Sequence, residues 1–225
     1  MENPKILSLT PRWAVVAKPP RWLVIPGRSP GLPVLREWVE RETGAPVWVV
    51  HRIDRDTSGV VLFARDPDSH REASQWFEKH RVRKTYHAIA TGLPTMPMLR
   101  LDSPIEGAPA RTQVEVVEKS ALADVFFAQV RIDTGKRHQI RIHLGGAGHP
   151  LAGDSEYRGP RELLLREGGA LDVERVALHA RSLELPTGEK FVAPWPEDFR
   201  GWVGKLFSEA GRAARAGRAE GDSKT

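Results

Sequence analysis

Cysteine is absent from all 225 residues. Without a thiol the chain can form no disulfide, build no zinc site of the thiolate kind and use no thiolate nucleophile. Also missing is any apolar run long enough to span a bilayer. The N-terminus, Met1-Glu2-Asn3-Pro4-Lys5 before a brief Ile6-Leu7 pair, carries no secretory signal. A cytoplasmic protein with no membrane partner is the expectation. The glycine-rich stretch Gly145 to Asp154 lacks the Lys-Ser/Thr ending of a phosphate-cradling loop and the spacing of a dinucleotide fingerprint, so no nucleotide cofactor is expected. The sequence shows no internal repeat.

What is present is ordinary for a globular chain: 40% hydrophobic and 28% charged residues. The length suits one sizeable core, read here as a single catalytic domain over 1–207. From Gly211 onward little could be buried, and residues 208–225 are expected to form a disordered basic tail. A net charge of +5 leans towards an acidic partner, of which nucleic acid is the commonest.

Taken in order, Trp13 to Ala17 reads as a strand ended by Lys18-Pro19-Pro20, since proline gives no ladder donor. Val34, Leu35, Trp38 and Val39 recur at helical spacing within 33–43, with Gly44 as a C-terminal cap. Val47 to Val50 is a short strand, and Val60 to Ala64, apolar on both faces, a buried one. Ser69 and Glu72 stand three apart as a capping box, and Ala73, Trp76, Phe77 and His80 mark one helix face. Strands follow over 85–90, 112–117, 125–132 and 177–185, with a proline-rich loop that holds at most one short strand across 93–110. A short helix is expected over 161–167. Residues 138–144 read as a strand whose period of two sets Gln139, Arg141 and His143 against Ile140 and Ile142. His138 and His143 then fall on opposite faces, so no metal is expected to bind both.

Two stretches carry candidate chemistry. His51-Arg52-Ile53-Asp54-Arg55-Asp56-Thr57-Ser58-Gly59 is a polar loop running straight into the buried strand, so a rigid scaffold holds reactive groups at its edge. Asp54 is the candidate nucleophile, with Ser58-Gly59 as the tight turn that starts the strand. The bland alternative is that two Asp and two Arg pair on a solvated loop. The second stretch, Lys79-His80-Arg81-Val82-Arg83-Lys84, delivers Tyr86 to a strand. Single-stranded nucleic acid calls for such a run, because cations track phosphates while the ring stacks on a base. A solvated turn before a half-buried Tyr is the competing interpretation. Lys136 and Arg137 add two cations in the turn before His138.

Together these pieces resemble the RluA family of RNA pseudouridine synthases. The resemblance rests on residues 51–59, on Lys84-Thr85-Tyr86-His87-Ala88 with Gly92, and on Thr134 to His143. Gly148-His149-Pro150-Leu151-Ala152-Gly153-Asp154 and Leu178-His179-Ala180 complete it, in the family's order across roughly 12 to 200. It implies an α+β pseudouridine synthase fold: a mixed, mostly antiparallel central sheet, a few flanking helices and a central active-site cleft. It also implies isomerisation of uridine in RNA to pseudouridine with no cofactor, by a monomer acting on a structured stem-loop of tRNA or rRNA. Asp54 would be the nucleophile, attacking C1′ of the sugar or C6 of the base. Tyr86 would stack on the extruded uracil and is a candidate for guiding removal of the C5 proton. Arg141 would pair with Asp54, since a neighbouring guanidinium favours an ionised carboxyl. Arg52 would fill the gap left in the RNA stack, and Arg55, Arg83, Lys84, Lys136, Arg137 and His138 would contact RNA.

This chain has Arg21-Trp22 where the family usually has a Gly after Lys18-Pro19-Pro20, and Arg137 where it often has Thr. Both changes add cationic or aromatic surface and bear on substrate identity. The S4-type RNA-binding domain of several relatives is not expected, which leaves recognition to the catalytic domain. Among rivals, uridine C5-methylation needs a Cys thiolate and is excluded. A glycosidase would need Asp54 and Asp56 as its carboxylate pair. A non-catalytic RNA-binding module explains every site residue except Asp54.

Overall fold

The computed structural model describes residues 2–27 and 31–208. The chain runs β1 (Lys5–Leu9), β2 (Trp13–Lys18), α1 (Leu35–Thr43), β3 (Trp48–Val49), β4 (Ser58–Ala64), α2 (Pro67–Glu78), β5 (Arg83–Thr91), β6 (Met98–Leu101), β7 (Thr112–Lys119) and β8 (Val125–Ile132). It continues through α3 (Gln139–Gly146), a 3-10 turn at Ser155–Tyr157, β9 (Glu162–Leu164), β10 (Ala170–Asp172), β11 (Leu178–Glu184), β12 (Lys190–Val192) and α4 (Glu197–Leu206). The described chain divides into two compact units: Met1–Tyr86 with His179–Trp195, and His87–Leu178 with the residues from Pro196 onward. No helix among the described residues is long and apolar enough to cross a membrane.

In the first unit the strand order is β1-β2-β4-β11-β5, with β3 on β4 and β12 on β11. The central strand, β4, is buried at all seven positions, as its two-faced apolar run requires. It pairs antiparallel with β2 from Lys18 opposite Gly59 to Trp13 opposite Ala64, and parallel with β11 at His179 opposite Ser58. Its two faces feed two clusters. Val60, Leu62 and Ala64 pack with Trp13, Val15, Ala73 and Trp76, whereas Val61 and Phe63 pack with Ala14, Val16, Leu35 and Val39. The helix α1 ends at Gly44 with φ 65, the left-handed C-cap its sequence promised.

In the second unit the order is β5-β8-β7-β6, and β8 has the bounds its alternation indicated. Its partner β7 is antiparallel, with a register shift between Val116 and Glu118.

Several expectations need correction. The stretch read as a strand over 138–144 is the helix α3, in which Gln139, Ile140, Arg141, His143 and Leu144 are all buried. A period of two therefore does not sort its side chains, and the facial argument about His138 and His143 lapses. The helix expected at 161–167 is instead the hairpin β9–β10, pairing Leu163 with Leu171. Ser69 does not cap α2. Asp66 does, accepting from Ser69 N at 2.8 Å and from Ser69 Oγ at 2.6 Å, and Pro67 occupies the first turn. The elements β1, β12 and α4 were not anticipated. The expected tail lies, apart from Ser208, outside the described residues.

Candidate active site

The loop over 51–57 is pinned at both ends to the strand it precedes. At one end His51 Nε2 accepts the Leu62 N–H at 2.9 Å, and its ring stacks on Phe77 with centroids 4.6 Å apart and planes 13° from parallel. Burial first, and then the charge of Lys84, lower the His51 pKa to about 3, so the imidazole is neutral and its proton resides on Nδ1. At the other end the turn closes through Thr57 N to Asp54 O at 3.2 Å. Ser58 and Gly59, expected to form that turn, already belong to β4.

Ser58 Oγ lies 3.0 Å from His179 Nδ1, and His179 Nε2 lies 3.2 Å from Ala193 O. A carbonyl only accepts, so Nε2 carries a proton. Gly59 has φ 124, and a Cβ there would stand 2.2 Å from Ala180 O. No side chain fits. These two contacts explain why Ser58-Gly59 and His179-Ala180 occur in one chain: each pair is built against the other.

A third anchor was not foreseen. Lys18, 1% exposed, donates from Nζ to Pro19 O at 3.1 Å, Trp22 O at 2.8 Å and Arg55 O at 2.8 Å. The Arg21 N–H reaches the same Arg55 carbonyl at 2.9 Å. The loop bearing Asp54 is thus tied to the turn after β2. Its only sequence signal was a lysine before two prolines.

Asp54 is half-buried on this loop. Its charge acts on Tyr86, a half-buried residue packed on the first unit's core. Burial, and secondarily Asp54, raise the Tyr86 phenol well above its ordinary pKa, so it stays protonated at neutral pH. Arg52 and Arg55 are exposed, and Arg55 is bidentate to Asp56 at 3.1 and 2.9 Å. Arg83 is exposed and bonded to Glu184 at 2.9 Å. Lys84, by contrast, is only 8% exposed, so the basic run is not a uniformly solvated track.

The second unit holds the remaining candidates. Lys136 and Arg137 are exposed in the turn before α3. His138 adopts φ 54 at its N-cap, with Nδ1 3.0 Å from the Tyr157 hydroxyl and 3.5 Å from Glu156. Arg141 forms a buried fork with Asp154, Nε to Oδ2 and Nη2 to Oδ1 both 2.7 Å, and also donates to Glu156 at 2.8 Å. Its guanidinium lies over the Tyr157 ring, 4.9 Å from the centroid. Asp154 is the partner that sequence reasoning missed. It closes the glycine-rich stretch, which the sequence analysis used to exclude a nucleotide site and as part of the family resemblance, with no role given to Asp154 itself.

Two polar side chains fix α3 beneath Arg141. The Gln139 amide accepts from Thr134 Oγ1 at 2.7 Å and Lys136 N at 3.1 Å, and donates to Arg111 O at 2.9 Å and Thr112 Oγ1 at 3.1 Å. His143 bridges Thr112 Oγ1 at 2.8 Å and Ser103 O at 2.9 Å. Asp54, Tyr86, Arg52, Arg55, Arg83 and Lys84 therefore belong to the first unit, and Lys136, Arg137, His138 and Arg141 to the second. Among the described residues no three of His, Asp or Glu gather in a way that could hold a metal ion.

Residues 12–145 match the family described as RNA pseudouridylate synthase. An uncharacterised RNA pseudouridine synthase of Bacillus subtilis is 36% identical over 174 residues, 71% of this chain and 56% of that protein. The chain thus spans little more than half of that relative. The tRNA pseudouridine synthase C of Salmonella typhi is 31% identical over 202 residues, 73% of this chain and 76% of that one. Among solved structures, human RNA pseudouridylate synthase domain containing 4 superposes with a TM-score of 0.71 at 22% identity, covering 89% of this chain and 92% of that one. This is the mixed, mostly antiparallel fold expected from the sequence, here with four helices among the described residues.

Proposed function

We propose that this chain, which belongs to the RNA pseudouridylate synthase family, isomerises uridine within RNA to pseudouridine with Asp54 as its nucleophile. The observation that carries this is a half-buried carboxylate acting on a half-buried, protonated phenol, on a loop pinned at both ends. The reaction breaks the N1–C1′ bond, forms C5–C1′, releases the C5 proton and protonates N1. Nothing is gained or lost overall, so no cofactor is required. Asp54 attacks C1′ of the ribose or C6 of the base, and is regenerated when the base rejoins the sugar through C5.

A neutral phenol cannot serve as a phenolate base, which favours the Tyr86 ring as a stacking platform. Extruding a base costs a few kcal/mol, and aromatic stacking returns about 1–3 kcal/mol of it. The exposed Arg52, two residues before Asp54, is suited to fill the vacated place in the stack. The resemblance makes Arg141 the supporting cation, and its fork with Asp154 is a means of fixing the guanidinium plane. Arg55, Arg83, Lys136, Arg137 and His138 are assigned to the RNA backbone. The burial of Lys84 favours a place under the site, beside His51. A relative named for tRNA supports a structured stem-loop of tRNA or rRNA as substrate, and the bacterial relatives support action in the cytoplasm.

The test compares wild type with Asp54→Asn on cellular RNA, mapping pseudouridine by nucleoside analysis and measuring RNA affinity in parallel. We expect the variant to make no detectable pseudouridine and to bind RNA within about twofold of wild type, the pattern of a group used only in the transition state. Modification that persists in the variant removes Asp54 from the chemistry. Wild type that binds RNA and modifies none of it is a binding module.

A further inference from the structure

The chain has two tyrosines, and the proposed chemistry uses one of them. The other, Tyr157, lies in the second unit against Arg141. Guanidinium N–H bonds lie in the plane of the group, so the fork with Asp154 and the bond to Glu156 set where that plane sits and resist its turning within itself. Against a tilt out of the plane they act weakly, because hydrogen bonds are soft in angle. What stands on the face is the Tyr157 ring, its centroid 4.9 Å from the guanidinium carbon.

That ring is fixed at its root and at its tip. The Tyr157 N–H donates to Asp154 O at 3.1 Å and the Gly159 N–H to the same carbonyl at 2.7 Å, so the chain doubles back after the residue that forks Arg141. A Cβ at Gly159 would stand 1.8 Å from Leu151 O, which only glycine tolerates. On α3, one turn beyond Arg141, a Cβ at Gly145 would stand 3.3 Å from Tyr157 Cβ, and its absence lets Tyr157 close onto the helix. At the tip, the hydroxyl lies 3.0 Å from Nδ1 of His138, the N-cap of the same helix. The phenol itself takes no part in proton transfer near neutrality, since burial first, and then the charge of Glu156, raise its pKa above the ordinary value. Any apolar side chain could fill the space; only a flat aromatic face attracts a cation lying over it.

We propose that Tyr157 is a positioning residue for the isomerisation, its ring holding the Arg141 guanidinium at the tilt that the reaction uses. This rests on the proposed activity and on Arg141 serving it. A cation needed in one orientation in the transition state shows its misplacement in kcat and not in RNA binding.

The experiment compares Tyr157→Leu and Tyr157→Phe in the full chain, each alone and with Arg141→Lys, on the RNA that wild type modifies. Tyr157→Leu is expected to lower kcat about tenfold with KM within about twofold of wild type. Tyr157→Phe, which keeps the ring and loses the bond to His138, should lose about threefold or less. In Arg141→Lys no plane remains to be tilted, so adding Tyr157→Leu should cost less than about twofold further. A kcat unchanged in Tyr157→Leu overturns the proposal, and so does Tyr157→Phe as slow as Tyr157→Leu. A Tyr157→Leu loss that persists in full beside Arg141→Lys, or that comes with a matching fall in the unfolding midpoint, makes the ring a prop for the loop and overturns it too. If Tyr157→Leu does not fold, Tyr157→Phe with and without Arg141→Lys decides by the same non-additivity. Wild type that modifies no RNA overturns the proposed activity and this role with it, whereas an active wild type beside an equally active Tyr157→Leu removes the role alone.

Discussion

The loop that carries Asp54 and the helix that carries Arg141 are held by opposite means. In the first unit the anchors are a neutral imidazole on an amide, a hydroxyl on a second imidazole, a glycine against a carbonyl, and a lysine spread over three carbonyls. In the second, α3 is held by an ionic fork and by an amide that bonds twice to the turn before the helix and twice to Arg111 and Thr112. Apart from those of the lysine, which are charge-assisted, the bonds of the first unit are little affected by salt, and the one on His51 fails when that buried base takes a proton. An ion pair at 9% and 1% side-chain exposure loses heavily when one partner is removed, because the other charge is left buried.

That contrast can be broken at three places. The largest effect is expected from Gly59→Ala, whose Cβ would meet the Ala180 carbonyl at 2.2 Å. Two strands must part, at about 4 kcal/mol or more, and denaturant unfolding should show the variant largely unfolded. A loss under about 1 kcal/mol would mean that the strands adjust. Next is Asp154→Asn, which keeps the shape of the fork and removes its charge, leaving Arg141 with the exposed Glu156. We expect a loss of about 3 kcal/mol by denaturant unfolding. A near-neutral result would show that hydrogen bonding, and not charge, sustains α3.

The third is His51→Gln, whose amide oxygen can still accept from Leu62 N. The folded-state pKa of His51, about 3, lies below the ordinary 6.5, so the folded chain binds fewer protons than the unfolded one. Its contribution is complete above pH 6.5 and is lost as pH falls from 6.5 towards 3, at about 1.4 kcal/mol per pH unit. The glutamine variant keeps that acceptor but loses the ring stacked on Phe77, so it should be less stable by about 1 kcal/mol at pH 7.5 and match wild type between about pH 5.5 and 6, as one lost aromatic pair against that slope requires. A gap that is constant with pH would show that His51 is not buried neutral.

The same contrast explains what could be read in advance. The strand β4 was legible because a fully buried strand writes its environment into its composition, seven residues with no charge. So was α1, with its apolar spacing and Gly44 cap. The helix α3 was not, because Gln139, Arg141 and His143 are polar residues buried by partners tens of positions away or at the end of a glycine run. Alternation with Ile140 and Ile142 then imitated a strand. The capping error at α2 arose from a Ser-x-x-Glu pattern standing three residues inside the helix, past the Asp-Pro pair that begins it. In α4, Phe199, Trp202, Val203 and Leu206 are buried at spacings of three, four and seven, a helical signature that the sequence analysis passed over. Of the candidate site, Asp54 and Tyr86 stood out by residue type and setting, whereas the contacts of Lys18, His179 and Asp154 could not be read in advance, because they lie in the bonds these residues make to other segments.

The central claim is that the Asp54 carboxylate performs the chemistry and the pinned loop only presents it. Converting uridine to pseudouridine must release the hydrogen at C5, so RNA tritiated at that carbon reports each turnover directly. Under single-turnover conditions wild type should release the label, and Asp54→Asn should release none above a blank without protein while keeping the wild-type unfolding midpoint. Release by the asparagine variant at a rate near wild type would contradict the account.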